Sequence, residues 1–279
     1  MVKQICVCGA GTMGAGIAQA AAQHGFSVVL FDLNAAVIGK AEMAVQSNLD
    51  TLVTKEKISA EEKERILQRM LFTSSINDAR ADVIIEAIIE KLEAKQSLFS
   101  QLVAINDPGV IYATNTSSLP VTAIAATLPD PSRMVGMHFF NPATIMKLVE
   151  VVRTDASDPA VVQAIVDLAK AMGKTPVLCK DAPGFIVNRV ARPYYIEALR
   201  LAEEGLDYAT IDALMESCGF KMGPFRLMDL IGNDINYAVS CSVYDQLGSP
   251  ERLKPSPIQE ERVRSGNLGR KTGRGYYEY

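Results

Sequence analysis

The chain has 279 residues, of which 48% are hydrophobic and 22% are charged, a composition typical of a folded globular protein and not of a disordered one. This length is enough for one large core or for two domains. The 28 basic and 32 acidic side chains give a net charge of −4, so the chain lacks the positive field expected of a nucleic-acid-binding protein. No apolar run reaches the roughly 18 residues of a membrane span, so no membrane partner is predicted.

Cysteine and histidine usage indicates a cytoplasmic protein without a metal site. The cysteines are odd in number and occupy positions 6, 8, 179, 218 and 241. We interpret them as reduced, buried thiols rather than as a disulfide framework. The only histidines are His24 and His138, and no cysteine or histidine spacing matches a zinc site, so no metal is expected.

The first residues predict a strand, a helix and a second strand. Residues 3–8 are mostly apolar, residues 12–24 place apolar side chains on one helical face, and residues 27–32 form a second apolar run that ends in an acid. Between the first strand and the helix lies the sequence Gly9-Ala10-Gly11-Thr12-Met13-Gly14. This G-x-G-x-x-G pattern, in this context, is the fingerprint of a dinucleotide-binding βαβ unit.

Each part of the fingerprint has a physical role. Gly9 permits the tight turn, Gly11 lets the backbone approach a pyrophosphate, and Gly14 allows the helix to pack closely on the sheet. The helix begins at Thr12 and Met13, where N–H groups without partners and a partial positive charge favour bound phosphate.

The acid at the end of the second strand distinguishes between two cofactors. Asp32 is predicted to accept hydrogen bonds from a ribose 2′-hydroxyl, and its charge would repel a 2′-phosphate. The following residues, Leu33–Ala36, include no arginine that would receive such a phosphate. The predicted cofactor is therefore NAD rather than NADP.

Strands and helices continue to alternate up to about residue 183. Residues 35–70 are helix-rich, and Ser59 followed by Glu62 predicts the start of a new helix within them. Further strands are predicted at 82–86, 110–114, 134–137, 148–152 and 176–179, with helices at 91–104 and 158–172. This alternation predicts an α/β fold of the Rossmann type, a mostly parallel sheet with helices on both faces.

The pattern changes after Ala182-Pro183-Gly184. From there we predict helices and little strand, beginning with a long apolar helix over 185–204 that contains Pro193. Further helices are expected near 207–217 and 229–247. We therefore divide the chain into a dinucleotide-binding domain, residues 1–183, and an all-helical C-terminal domain, residues 184–279.

One histidine is a candidate base. His138 directly follows a predicted strand and so lies at a carboxyl edge, where α/β sheets bind ligands. Glu150 lies on the next predicted strand, and a carboxylate on one imidazole nitrogen leaves the other free to move a proton. A structural histidine and a strand-edge ion pair are the alternatives for these two residues. His24, beside the predicted helix stop Gly25, is interpreted as a helix cap or surface residue.

Five segments have distinctive sequences, which are, in chain order, Cys8–Gly14, Asn115–Leu119 (NTSSL), Gly136–Pro142 (GMHFFNP), Asp181–Arg189 (DAPGFIVNR) and Leu268–Tyr277 (LGRKTGRGYY). Together they resemble the L-3-hydroxyacyl-CoA dehydrogenase family, most closely its single-function bacterial 3-hydroxybutyryl-CoA dehydrogenases. The resemblance extends over nearly the whole chain. It implies a homodimer formed through the C-terminal domain, and an acyl-CoA as the substrate.

The resemblance also implies roles for individual residues. His138 matches the family's catalytic base and Glu150 the acid that pairs with it. Ser117 and Asn188 match polar residues beside the substrate oxygen. Contacts to the nicotinamide nucleotide are implied for Glu90, Lys95 and Asn115. A position near the CoA phosphates is implied for Lys55.

Some of these residues have alternative interpretations. Ser117 is also placed to cap a helix starting near Pro120, and Asn188 to be a satisfied polar residue within a helix. Lys55 is equally consistent with a solvated surface. The basic tail residues Arg270, Lys271 and Arg274 suit either a phosphate contact or packing and dimer contacts.

The implied reaction is NAD-dependent oxidation of a short (S)-3-hydroxyacyl-CoA, such as 3-hydroxybutyryl-CoA, to the 3-oxoacyl-CoA, and its reverse. A dicarboxylic substrate such as 3-hydroxyadipyl-CoA is an alternative. Two other readings are a dehydrogenase of free β-hydroxyacids, which uses a lysine base, and a non-catalytic NAD-binding protein on the same fold. The His138 and Glu150 pair argues against the first, and the presence of Ser117, His138, Glu150 and Asn188 together argues against the second.

Overall fold

A computed structural model describes residues 2–279 of the chain. The chain divides into two compact units, Met1–Asp181 and Ala182–Tyr279. Within residues 2–279, none of the helices combines the length and the apolar character needed to cross a bilayer.

The first unit is built on an eight-stranded sheet with the strand order β3-β2-β1-β4-β5-β6-β7-β8. All neighbouring strands are parallel except β6 and β7, which are antiparallel. The strands are β1 (Gln4–Cys8), β2 (Ser27–Phe31), β3 (Met70–Thr73), β4 (Val83–Glu86), β5 (Ile111–Thr114), β6 (Met134–Phe139), β7 (Leu148–Arg153) and β8 (Thr175–Lys180).

The central strands are apolar because they are covered on both faces. Every residue of β4, β5 and β6 is buried, so these strands are near-continuous apolar runs without polar alternation. The free thiols of Cys6 and Cys8 are buried in β1, as expected. Cys179 and Cys241 are only partly buried and Cys218 is exposed, so the expectation of buried thiols is wrong for Cys218 and holds only in part for the other two.

Six helices belong to this unit: α1 (Thr12–Gln23), α2 (Ala35–Thr54), α3 (Ala60–Gln68), α4 (Leu92–Ile105), α5 (Val121–Ala125) and α6 (Pro159–Ala171). The predicted start at Ser59 is confirmed, since its hydroxyl accepts a hydrogen bond from the Glu62 amide at 3.1 Å. The helical reading of residue 70 is wrong, because Met70 begins β3. His24 is an exposed C-cap residue of α1 whose Nδ1 lies 2.8 Å from the Ala20 carbonyl, as expected.

The second unit contains the helices α7 (Val187–Glu203), α8 (Tyr208–Ser217), α9 (Pro224–Ile231), α10 (Asn233–Gln246) and α11 (Pro257–Arg264). The helix predicted near 229–247 is in fact two helices, because Gly232 between them has φ 104°, which a helix cannot continue through. The first helix begins at Val187 rather than at residue 185. Its buried side chains pack with those of α8 and α9, so it is amphipathic and not apolar throughout.

A buried carboxylate anchors the C-terminal tail to this helical unit. Asp229 accepts hydrogen bonds from the amides of Tyr276 and Tyr277, both at 3.0 Å, and from the Tyr279 hydroxyl at 3.1 Å. A side chain on Gly275 would place Cβ 1.9 Å from a carboxylate oxygen of Asp229, so this position requires glycine.

The basic residues of the tail pair within the same unit. Lys271 Nζ lies 2.6 Å from a carboxylate oxygen of Asp234, and the Arg270 guanidinium lies 5.1 Å from the centre of the Tyr279 ring. These contacts favour the packing interpretation of the tail over a phosphate contact. The predicted fold class, a mostly parallel Rossmann-type sheet followed by a helical unit, is confirmed.

Candidate active site

The glycine-rich turn between β1 and α1 has the geometry of a phosphate cradle. Gly9 has φ 103°, and a Cβ there would lie 2.5 Å from the Ala87 carbonyl oxygen. A Cβ on Gly14 would lie 1.7 Å from the Gly9 carbonyl oxygen, so both positions exclude any side chain. Gly11 is exposed and has open space around it, so that an anion is free to approach the backbone.

The start of α1 offers donors to such an anion. Gly11 is the N-cap residue, and no side chain caps the helix, so the first-turn amides at Thr12 and Met13 receive no side-chain acceptor. The helix dipole adds a partial positive charge at this end. These features fit the pyrophosphate of a dinucleotide.

Asp32 ties the glycine-rich turn to the end of β2. One carboxylate oxygen accepts a hydrogen bond from the Ala10 amide at 2.9 Å, and the other accepts one from the Asn34 amide at 2.9 Å. A carboxylate has about four lone-pair sites, so acceptor capacity remains for a ribose hydroxyl.

The strand order places this turn at the topological switch point of the sheet. The strand β1 lies between β2 and β4, so the connections leaving β1 and β4 run to opposite sides. Ligands of open α/β sheets bind outside the carboxyl ends of the strands at such a point. The residues after β4 therefore face the same region as the glycine-rich turn.

The candidate base and its acid partner are opposite each other on antiparallel strands. His138 pairs in register with Glu150, and His138 Nδ1 lies 2.7 Å from a carboxylate oxygen of Glu150. His138 is 6% exposed and Glu150 is 1% exposed, so this hydrogen bond is shielded from water. The contact predicted from adjacent strands is present.

Asn115 fixes the backbone beside the histidine. Its side-chain oxygen accepts a hydrogen bond from the Phe139 amide at 2.8 Å, which joins the end of β5 to the end of β6. The ring of Phe140 lies against the imidazole, with 4.5 Å between ring centres. Glu150 and Phe140 therefore contact the imidazole itself, whereas Asn115 fixes the backbone of the residue that follows it.

A buried ion pair supports the segment after β4. Glu86, at the last position of β4, is completely buried, and Lys95 on α4 is 1% exposed. The Lys95 ammonium lies 2.6 Å from one oxygen of Glu86, which also accepts the Ile88 amide at 2.7 Å. The second oxygen accepts the Thr114 hydroxyl at 2.6 Å. Glu86 thus fixes β4, β5 and α4 relative to one another.

Glu90 extends this network to the segment that carries Ser117. One oxygen of Glu90 accepts hydrogen bonds from the Thr116 hydroxyl at 2.6 Å and the Ser117 amide at 3.0 Å, and the other lies 3.1 Å from the Lys95 ammonium. Burial alone would raise the pKa of Glu90, but the Lys95 charge and these hydrogen bonds hold it below its usual value. The stability gained is present above the ordinary pKa and is lost as the pH falls through the lowered pKa.

Glu86 and Thr114 are not predicted by the local sequence patterns, although one signal is present. An acid that ends the apolar run Val83–Glu86 is unusual, because a fully buried carboxylate requires a paired cation or several hydrogen bonds. The interpretation of Ser117 as a helix cap is wrong. The N-cap of α5 is Pro120, and no side chain caps that helix.

The two remaining predicted residues, Lys55 and Asn188, belong to helices. Lys55 is exposed at the C-cap of α2, and Asn188 is the second residue of α7, in the helical unit. Their predicted ligand contacts stay predictions. Within residues 2–279, no three His, Cys, Asp or Glu side chains are grouped closely enough to hold a metal ion.

Two sequence profiles match the chain. Residues 4–182 match the NAD-binding domain of 3-hydroxyacyl-CoA dehydrogenase, and residues 184–279 match the C-terminal domain of the same enzyme. The chain is 47% identical over 281 residues to 3-hydroxyadipyl-CoA dehydrogenase of Escherichia coli; the match covers 100% of this chain but only 59% of that relative's length.

Relatives of similar length also match. The probable 3-hydroxybutyryl-CoA dehydrogenase of Deinococcus radiodurans is 39% identical over 276 residues, covering 98% of this chain and 99% of the relative. The crystal structure of (S)-3-hydroxybutyryl-CoA dehydrogenase from Ralstonia eutropha superposes with a TM-score of 0.95 at 38% identity, covering 100% of this chain and 99% of that chain.

These matches confirm two predictions, that the cofactor is NAD and that the chain is an NAD-dependent oxidoreductase. The glycine-rich turn, the Asp32 contacts and the switch-point position fit that cofactor. The chain belongs to the 3-hydroxyacyl-CoA dehydrogenase family.

Proposed function

We propose that this chain catalyses the NAD-dependent oxidation of short (S)-3-hydroxyacyl-CoA thioesters, such as 3-hydroxybutyryl-CoA, to 3-oxoacyl-CoA, and the reverse reduction. The observation that carries the proposal is the shielded 2.7 Å hydrogen bond between His138 and Glu150 at the carboxyl end of β6. A non-catalytic NAD-binding protein has no need of a buried imidazole and carboxylate at this position.

In the proposed reaction, His138 Nε2 accepts the proton of the C3 hydroxyl as the C3 hydride leaves. Bound NAD⁺ would supply the acceptor for that hydride at its nicotinamide ring. Glu150 stabilises the imidazolium that forms, because the two groups are held together away from water. In the reverse direction the imidazolium returns the proton to the oxygen.

Two polar residues are assigned to the substrate oxygen. Ser117 and Asn188 are proposed to donate hydrogen bonds to the charge that develops on this oxygen, a form of stabilisation that acts mainly in the transition state. Support for Ser117 comes from the Glu90 carboxylate, which holds its amide at 3.0 Å and so fixes the backbone.

The cofactor contacts follow the strand ends. We assign the pyrophosphate to the turn formed by Gly9, Gly11, Thr12, Met13 and Gly14. Asp32 is assigned to the ribose hydroxyls. Contacts to the nicotinamide side of the dinucleotide are assigned to Glu90, Lys95 and Asn115, and a contact to the CoA phosphates is assigned to Lys55, which is exposed.

The direct test is the oxidation of NADH, followed by its absorbance, when acetoacetyl-CoA is added to the full chain. We expect turnover with NADH and at most about one hundredth of that rate with NADPH, since Asp32 repels a 2′-phosphate. Binding of NADH without turnover would support the non-catalytic reading instead. Equal rates with the two cofactors would contradict the role of Asp32.

We also propose that the chain acts as a cytoplasmic homodimer formed through the helical unit. That unit exposes large apolar side chains, which an obligate partner surface would cover: Val190, Leu214, Phe220, Leu230, Ile231 and Ile235. Light scattering should therefore give about twice the 30.2 kDa mass of one chain. A mass of one chain across micromolar concentrations would contradict the dimer.

A further inference from the structure

The helical unit contains a buried arginine that forms no ion pair among the described residues. Arg192, on α7, is 2% exposed. Its guanidinium is held by neutral acceptors. Nε donates to the Asn188 carbonyl at 3.0 Å, and Nη1 donates to the Asn236 carbonyl at 3.0 Å and to the Ser240 hydroxyl at 2.8 Å. Nη2 takes part in none of these three bonds.

A buried cation surrounded by neutral groups is costly for the fold. Burial lowers the pKa of Arg192 to about 10, and the Tyr195 ring, 4.9 Å from the guanidinium carbon, compensates for only part of this. The two buried acids of the unit, Asp212 and Asp229, bind other groups. Asp212 accepts the Phe225 and Arg226 amides, and Asp229 holds the tail. The charge is therefore retained without a carboxylate partner from the unit itself.

The position of Arg192 relates it to the proposed substrate site. It follows Asn188 by four residues, about 6 Å along a helix axis. Its bond to the Asn188 carbonyl shows that the side chain turns back toward that residue. An acyl chain whose C3 oxygen lies beside Asn188 has its C6 atom about 4 Å from C3, since three C–C bonds of about 1.5 Å separate them. The length of the acyl chain from C3 to C6 is therefore comparable to the spacing of Asn188 and Arg192 along the helix.

We infer that Arg192 is a specificity-determining residue that binds the far carboxylate of a six-carbon dicarboxylic acyl-CoA substrate. The inference rests on the proposed function, because that function places the substrate oxygen at Asn188. A planar guanidinium with a free edge suits a carboxylate, and the neutral acceptors on its other edge fix its orientation.

The experiment compares two substrates of equal chain length, 3-hydroxyadipyl-CoA and 3-hydroxyhexanoyl-CoA, which differ only in the terminal carboxylate. The full chain should show a kcat/KM at least tenfold higher for the dicarboxylic substrate. Arg192→Met should reduce the ratio of the two kcat/KM values by about 10- to 100-fold, the loss expected for a hydrogen bond to a charged group. Arg200→Met, two turns further along α7 at an arginine paired with Glu197, should leave the ratio unchanged.

A purely structural brace would behave differently. If Arg192 only joins α7 to α10, Arg192→Met lowers both kcat/KM values by the same factor, and the inference is overturned. Arg192→Lys keeps the charge but not the planar guanidinium, and it provides a second test if the methionine variant does not fold. It should lower the ratio of the two kcat/KM values by a smaller factor than Arg192→Met does. Turnover of both substrates without preference by the full chain overturns the inference alone, whereas turnover of neither overturns the proposed function as well.

Discussion

Replacing His138 with glutamine should lower kcat by about 10²- to 10⁴-fold, the contribution typical of a positioned general base. Glutamine is chosen because its amide can still donate to Glu150, so the buried carboxylate keeps a partner and the fold is preserved. Binding of NADH, measured by its fluorescence, should change by less than about threefold, since the phosphate and ribose contacts are made elsewhere.

The matched control is His24→Gln. His24 is the only other histidine, it is exposed, and its side chain lies 2.8 Å from the Ala20 carbonyl in its own helix. This variant should keep full activity. If His138→Gln retained more than a tenth of the activity of the unchanged chain, another group would have to be the base.

The second large effect concerns stability. Lys95→Met should lower the free energy of unfolding by about 3–5 kcal/mol, because it leaves the completely buried Glu86 without its cation. The hydrogen bonds from the Thr114 hydroxyl and the Ile88 amide remain, but neither supplies a compensating charge. Urea unfolding monitored by circular dichroism measures the change.

Two comparisons separate the ion pair from general damage to the helix. Lys91→Met, at the exposed N-cap of α4, should change stability by less than about 0.5 kcal/mol. The double variant Glu86→Gln with Lys95→Met should recover most of the lost stability, since both charges are removed together. A cost below about 1 kcal/mol for Lys95→Met alone would show that the pair is not important for the fold.

Local patterns predicted most of the fold, since the buried strands are short apolar runs and the helices have recognisable starts. The strand β3 was not predicted because it lies at the sheet edge, where its side chains are only partly buried. Its four residues directly follow Arg69, the C-cap of α3, so the sequence carries no separating turn. The break at Gly232 was missed because a single glycine inside an apolar pattern is tolerated in many helices.

Some contacts of the site could be predicted from the order of the strands, and others could not. His138 and Glu150 were predictable because consecutive strands brought them together. The contacts of Glu86 with Lys95 and Thr114 span 9 and 28 residues and join three consecutive elements, but they depend on the exact orientation of side chains, which no apolar periodicity specifies. The tail residues that donate hydrogen bonds to Asp229 are likewise 47 to 50 residues away along the chain.

The central claim is that Glu150 acts on catalysis only through the imidazole of His138. The most direct test is a double-mutant cycle on kcat for acetoacetyl-CoA reduction with His138→Gln, Glu150→Gln and the double variant. Glu150→Gln alone should lower kcat by about 10- to 100-fold, since it removes a hydrogen bond to a charged group. In the His138→Gln background, the same change should lower kcat by less than about threefold. A full second loss in the double variant would contradict the claim.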